Sequence, residues 1–299
     1  MKDKLPNFLI VGAAKGGTTS IYYYLQQSNE VFFPTVKEPC FLAYDNSNLP
    51  IKYPKDTIVN YVDYLSLFKS EADYKCIGEA SAIYLYFYES TIENIKKYLK
   101  EKDIKIVMTL RNPVDRAFSQ YMMNIRDLRE NLSFEDAISA EKKRREDNWN
   151  SDYFYLSRGF YYKQVRAYID AFGRENVKIF LFEDLIKTPQ NVMDDLFSFL
   201  EISRQVIDTK NKYNVSGRPK YKLVNKLILS DSLLKKSIKW ILPDRFRNHS
   251  FEKIKNMIYK KNLKKETLSK KNKTKMVEIF REDISSLSKL INRDLNHWL

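Results

Sequence analysis

The densest chemistry in this 299-residue chain lies in Phe8 to Ile21, FLIVGAAKGGTTSI. An apolar run, Phe8-Leu9-Ile10-Val11, ends at Gly12, and a helical pattern begins near Thr18. The order is buried strand, glycine-bearing turn and helix start. Such a junction gathers free backbone N–H groups and the positive end of a helix dipole at one point, which suits a phosphate. Six consecutive residues carry the polar groups: Lys15, Gly16, Gly17, Thr18, Thr19 and Ser20. A plain glycine turn between a core strand and a helix is the structural alternative, and it needs neither the lysine nor three hydroxyls.

From Gly12 to Thr19 the spacing nearly fits the phosphate-loop pattern GxxxxGK[ST], with Gly12 and Gly17 as its glycines. Thr18 stands where that pattern has lysine, and the cation is Lys15, three residues earlier. The phosphate cradle is kept, but the usual arrangement around a magnesium-bound γ-phosphate is not. Cys40 and Cys76 are too few for a disulfide framework or a four-ligand zinc site. His249 and His297 are both far from the loop in sequence, so a histidine base there has no support and no metal is expected.

A second cluster follows the strand Ile104–Leu110: Arg111-Asn112-Pro113-Val114-Asp115-Arg116-Ala117-Phe118-Ser119-Gln120-Tyr121. An arginine at a strand end with proline at a helix start fits another phosphate turn. An arginine there can form a two-point salt bridge to a phosphate. Between the two clusters lies Lys37-Glu38-Pro39, in a short extended piece closed by prolines. Further on come Gly78-Glu79-Ala80-Ser81-Ala82, Arg158-Gly159-Phe160-Tyr161-Tyr162-Lys163-Gln164, Asn214-Val215-Ser216-Gly217-Arg218-Pro219 and the closing Arg293 to Leu299.

Taken together these segments resemble the sulfotransferases that use 3′-phosphoadenosine 5′-phosphosulfate (PAPS), in particular the bacterial and heparan-sulfate-type carbohydrate enzymes. The resemblance spans nearly the whole chain, in separated segments in the family's order. It implies that Lys15, Gly16, Gly17, Thr18, Thr19 and Ser20 form the 5′-phosphosulfate loop, with Lys15 beside the bridging oxygen. It implies that Arg111 and Ser119 hold the 3′-phosphate, and that the loop carrying Gly217 and Arg218 closes over it. Glu38 is then the base that takes the acceptor's proton, with Glu79, at the end of a neighbouring strand, as the alternative base. The chain departs from the heparan enzymes at Ala80, where they carry lysine, and at Ala82, where proline is usual. No role of that lysine carries over. Glu183-Asp184, after the strand Val177–Phe182, could be mistaken for a magnesium-binding pair, but the loop lacks the lysine that would accompany one.

These residues need a scaffold. The chain has 43% hydrophobic and 14% aromatic residues, enough to fill a core. The expected architecture is one α/β domain over 1–299, a three-layer P-loop-like fold with a mostly parallel central sheet. Residues 220–299 form a basic, mainly helical C-terminal extension of it. Helices are expected over about 57–68 and 89–100 and through the charged stretch 126–157, where Glu141 to Asp147 reads as a solvated face. No stretch reaches the eighteen or so apolar residues of a membrane span, so the chain is expected to be soluble and cytoplasmic, or a piece of something larger.

Charge is unevenly spread. Residues 1–200 hold 27 Lys and Arg against 28 Asp and Glu, whereas residues 201–299 hold 25 against 10. Ten lysines lie between Lys253 and Lys275, with Glu266 the single acid among them. That excess reads as an attraction for an anionic acceptor or for an anionic membrane surface carrying a glycolipid acceptor, or as a solvated helical face. The reading is sulfuryl transfer from PAPS, in line, to a hydroxyl or amine of a carbohydrate or glycolipid, with no metal and no nucleic-acid partner. A P-loop kinase or NTPase, which predicts magnesium and ATP dependence, and a non-catalytic binder of anionic polymer or membrane are the alternatives.

Overall fold

The structure is a computed structural model that describes residues 5–44, 57–69, 72–99, 103–209, 217–221, 261–264 and 266–299. Five strands, β1 (Phe8–Gly12), β2 (Val31–Phe32), β3 (Cys76–Ala80), β4 (Lys105–Leu110) and β5 (Val177–Leu181), form one sheet in the order β2-β3-β1-β4-β5. Every neighbouring pair is parallel. A fully parallel sheet needs cover on both faces, which is why its strands read as unbroken apolar runs. All five residues of β1 are buried: Leu9 and Val11 face one core, Phe8 and Ile10 the other.

The helices supply the two outer layers. Among the described residues they are α1 (Thr18–Leu25), α2 (Phe41–Tyr44), α3 (Tyr61–Ser66), α4 (Tyr88–Asn94), α5 (Pro113–Arg126), α6 (Phe134–Ser139), α7 (Glu141–Glu146), α8 (Tyr161–Phe172), α9 (Phe182–Lys187), α10 (Pro189–Phe199) and α11 (Lys270–Ile291). Ile21 and Leu25 of α1 pack with Met193, Leu196 and Phe197 of α10 on the Phe8/Ile10 face. Val114 and Ala117 of α5, Val165 and Tyr168 of α8, and Phe280 and Leu287 of α11 cover the Leu9/Val11 face. The expected three-layer α/β architecture is thus the observed one. The order places β3 on one side of β1 and β4 on the other. The carboxyl ends of β1 and β4 therefore flank the point where the winding of the sheet reverses, the usual ligand crevice of open α/β sheets.

Local chemistry sets where elements stop. The helix expected over 57–68 is shorter because Asn60 caps it, its Oδ1 accepting from Val62 N at 2.7 Å. The helix from Tyr88 continues through a π-helical turn, Ile95–Leu99. The stretch 126–157 breaks into α6, α7 and short 3₁₀ turns, because Ser133 and Asn150 each start a new cap. Its charged run is only partly solvated. Glu141 is buried and accepts from Leu156 N at 2.5 Å and Ser157 N at 2.8 Å. Arg144 forks onto Glu130 at 2.7 and 3.1 Å, both side chains being buried.

Burial pushes the Glu130 carboxyl up, but the Arg144 hydrogen bonds, the Leu132 amide and the Tyr155 hydroxyl outweigh it and hold it below the ordinary carboxylate range. The stability this group adds is therefore present above the usual glutamate pKa and is lost as pH falls through its folded value. Arg144→Ala leaves the carboxylate buried without its cation. It is expected to cost about 3–5 kcal/mol, the range for breaking a buried pair. Urea unfolding at neutral pH checks this.

Candidate active site

The loop after β1 is built so that its backbone lies against β4. Ala13 N donates to Thr109 O at 2.9 Å, and Gly16 N donates to Ala13 O at 2.8 Å. A Cβ on Gly16 would lie 2.3 Å from Thr109 O, so only glycine fits this approach. Gly17, with φ of 103°, then turns the chain into α1. No side chain caps α1 and its first turn holds no acid, an arrangement that suits an anion.

Lys15, at φ of 69°, sits on the crown of the loop with its Nζ 3.4 Å from Met123 Sδ on α5. Burial, with Arg126 and Arg111 nearby, draws its pKa down to about 8. Arg111 leaves the end of β4 and donates from Nη1 to Lys15 O at 3.4 Å, its guanidinium 4.7 Å from the Phe182 ring centre. Burial lowers its pKa too. Asn112 caps α5, accepting from Val114 N at 2.9 Å, and Tyr161 OH donates to Arg111 O at 3.0 Å, fixing the arginine's backbone. Ser119 follows on α5, half-buried.

The Lys37-Glu38-Pro39 turn comes to the same loop. Lys37 Nζ donates both to Thr19 Oγ1 at 3.1 Å and to Glu38 Oε1 at 3.2 Å, and lies 5.6 Å from the Tyr22 ring centre. Glu38 has φ of 58°, a left-handed conformation uncommon for a side-chain-bearing residue, and its N donates to Ala80 O at 3.1 Å. The Glu38 side chain is 39% exposed, open to an incoming group.

Gly217 and Arg218 begin a short antiparallel pair, β6 (Arg218–Pro219) with β7 (Leu263–Lys264). Arg218 Nε donates to Glu266 Oε1 at 2.6 Å, and its side chain also reaches Tyr121, two residues beyond Ser119 on α5. Asn214, Val215 and Ser216 of that loop lie outside the described residues, as do Lys253, Lys255, Lys260 and Lys265 of the basic cluster. Among the rest of that cluster, Lys270, Lys271, Lys273 and Lys275 are exposed at the start of α11, where a helix dipole disfavours cations.

The other acids have structural partners. Glu183 Oε1 meets His297 Nε2 at 2.6 Å and Trp298 Nε1 at 2.8 Å, and Asp184 Oδ2 accepts from Arg293 Nη2 at 2.8 Å. Both pin the C-terminal residues against α9. Glu79 is fully buried under hydroxyl groups rather than open to the loop. Lys37 is the contact that sequence reasoning gave no role. Its adjacency to Glu38 was visible, but its reach to Thr19 exists only once β2 and α1 are folded together.

A family model described as a sulfotransferase domain matches residues 5–225, so the chain belongs to the sulfotransferase family. A crystal structure of a sulfotransferase from Alicyclobacillus acidocaldarius is 30% identical, covers 99% of each chain and superposes with a TM-score of 0.73. The membrane-associated sulfotransferase kil1 of Dictyostelium discoideum is 24% identical over 67% of this chain and 56% of its own length. Carbohydrate sulfotransferase 15 of Mus musculus is 24% identical over 72% of this chain and 48% of its own. The chain thus spans about half the length of these two curated relatives.

Proposed function

We propose that this protein transfers a sulfuryl group from PAPS to a hydroxyl or amine of a carbohydrate or glycolipid acceptor. The observation that carries the reading is the bridge made by Lys37, which joins Thr19 of the anion loop to Glu38. A donor cradle and an exposed carboxylate are thereby held within one side chain's reach. PAPS brings an activated sulfuryl group on a phosphate leaving group, and a second phosphate by which it can be held. The residues present fit such a ligand: uncapped amides at the start of α1, with the cations Lys15 and Arg111 beside them.

In this reading Gly16, Gly17, Thr18, Thr19 and Ser20 bind the 5′ end of the donor, and Lys15 meets the negative charge that grows on the leaving oxygen. Arg111 and Ser119 hold the 3′-phosphate, and Gly217 and Arg218, the latter in contact with Tyr121 on the same helix, close over it. Glu38 accepts the proton of the acceptor at its carboxylate. A carbohydrate acceptor is supported by the relationship to carbohydrate sulfotransferase 15. The exposed lysines at the start of α11 favour an anionic acceptor or an anionic membrane surface, an attraction that ionic strength screens over about 8 Å at physiological salt.

Incubation with ³⁵S-labelled PAPS and separate glycosaminoglycan and glycolipid acceptors is expected to label at least one acceptor class. Phosphoryl transfer to those acceptors from labelled ATP, with no sulfuryl transfer from PAPS, overturns the reading. Arg111→Ala is expected to weaken adenosine 3′,5′-bisphosphate binding by about 10–100-fold, the loss of a charged hydrogen bond to phosphate, with a smaller effect on turnover at saturating donor. Titration calorimetry beside steady-state kinetics separates the two.

A further inference from the structure

The buried glutamate of β3 has no part in the chemistry just proposed, yet two of the three residues that hydrogen-bond to it also hydrogen-bond to the turn that carries Glu38. Glu79 lies opposite Leu9 in the register of β3 with β1 and is fully buried. Tyr64 OH donates to its Oε2 at 2.6 Å, Ser81 Oγ donates to its Oε1 at 2.7 Å, and Tyr84 donates to it as well. Two of these hydroxyls are also acceptors. Ser81 Oγ takes the backbone N–H of Cys40 at 3.1 Å, and Tyr84 OH takes that of Leu42 at 3.1 Å.

A hydroxyl has one proton to give. Because Ser81 and Tyr84 each accept from a backbone N–H, their protons are free to point at Glu79, and Tyr64 adds a third. Burial raises the pKa of this carboxyl group, and the three hydroxyl donors, with no acceptor among them, oppose that shift by favouring the carboxylate. The two amides it holds, through one hydroxyl each, belong to Cys40 and Leu42, just after Glu38. That turn needs holding: Glu38 and Cys40 both have φ of 58°, a conformation that side-chain-bearing residues rarely take unless their surroundings impose it. The third tie is Glu38 N to Ala80 O, on the residue next to Glu79.

We infer that Glu79 is a positioning residue: its buried carboxylate, acting through the hydroxyls of Ser81 and Tyr84, fixes the Lys37–Leu42 turn and so aims the Glu38 carboxylate at the acceptor site. The inference rests on Glu38 being the base, as proposed above. It assigns Glu79 the opposite of a direct proton-transfer role. A base must meet solvent or substrate, whereas Glu79 meets neither and its carboxylate is occupied by three hydroxyls.

Glu79→Gln keeps the volume but removes the charge and turns an NH₂ group towards one of the donor hydroxyls, which weakens the cage that holds the turn. It is expected to lower kcat by about 10–100-fold while leaving the Kd for adenosine 3′,5′-bisphosphate within about twofold. Combined with Glu38→Gln it should add less than about threefold to the loss from Glu38→Gln alone, since a residue that acts through another cannot act once that other is gone. Ser81→Ala and Tyr84→Phe each cut one tie with less risk to folding, and each is expected to lower kcat by about 3–30-fold with donor affinity kept. Losses that multiply in the double variant, or donor affinity falling in step with kcat, overturn the inference. Hydrogen exchange gives a readout that needs no turnover. The segment 37–42 should exchange faster in Glu79→Gln and Ser81→Ala, while β1 stays protected. An unchanged rate in that segment overturns the positioning role. If the wild-type protein transfers no sulfuryl group, the proposed function falls, and the exchange measurement alone decides whether Glu79 holds the turn.

Discussion

Lys15→Ala is expected to slow sulfuryl transfer by about 10²–10³, the usual cost of removing one preorganised charge stabiliser, with a smaller loss of donor affinity. The same lysine should write itself into the pH dependence of binding. Its pKa in the free protein is drawn down to about 8 by burial and by Arg126 and Arg111. A bound phosphosulfate or phosphate favours the charged form and raises that pKa. Below about pH 8 the ammonium is already present, so affinity for adenosine 3′,5′-bisphosphate is flat on this account. Above it, binding must take up a proton, and affinity falls by up to about tenfold per pH unit until the bound-state pKa is reached. Calorimetry from pH 7 to 9.5 should show this fall in the wild type and its absence in Lys15→Ala. A parallel fall in both proteins assigns the titration to another group.

Glu38→Gln carries the other large effect. It keeps the side chain's shape and its place beside Lys37 but removes its basicity. The expected loss is about 10²–10⁴ in kcat, the range for general-base help, with donor affinity nearly unchanged. Lys37 is bonded to the same carboxylate at 3.2 Å, so Glu38→Gln also frees the lysine, and a modest change in donor affinity would be traced to its contact with Thr19. Near-wild-type turnover in Glu38→Gln beside an inactive Glu79→Gln would move the base to the buried strand, against the hydroxyl cage that surrounds Glu79.

How much of this the sequence discloses depends on how local each feature is. The loop after β1 is contiguous: the apolar run, the two glycines and the start of α1 lie within Phe8 to Ile21, so strand, turn and helix could be read in order. Arg111 and Ser119 were legible for the same reason, one at a strand end and the other on the helix that Asn112 caps. What could not be read are contacts between distant segments. The place of Glu79 depends on Tyr64, Ser81, Tyr84 and the amides of Cys40 and Leu42, which come from three parts of the chain. Glu183 and Asp184 look like free acids until Arg293, His297 and Trp298 fold back upon them. Glu141 and Arg144 lie in a run whose composition suggests water, yet both are buried, because Glu130 and the amides of Leu156 and Ser157 meet them. Charge in sequence shows that a group needs a partner, and only the fold shows whether that partner is water.

The central claim is that the loop from Gly12 to Ser20, with Arg111, recognises a 3′,5′-bisphosphorylated adenosine without a metal. Titration calorimetry with EDTA present, comparing adenosine 3′,5′-bisphosphate, ATP and AMP, tests it most directly. The account predicts binding of the bisphosphate at least about tenfold tighter than that of ATP or AMP, about 1.4 kcal/mol or more, and unchanged when magnesium is restored. Binding of the bisphosphate that disappears with EDTA, or is equalled by ATP, would contradict it.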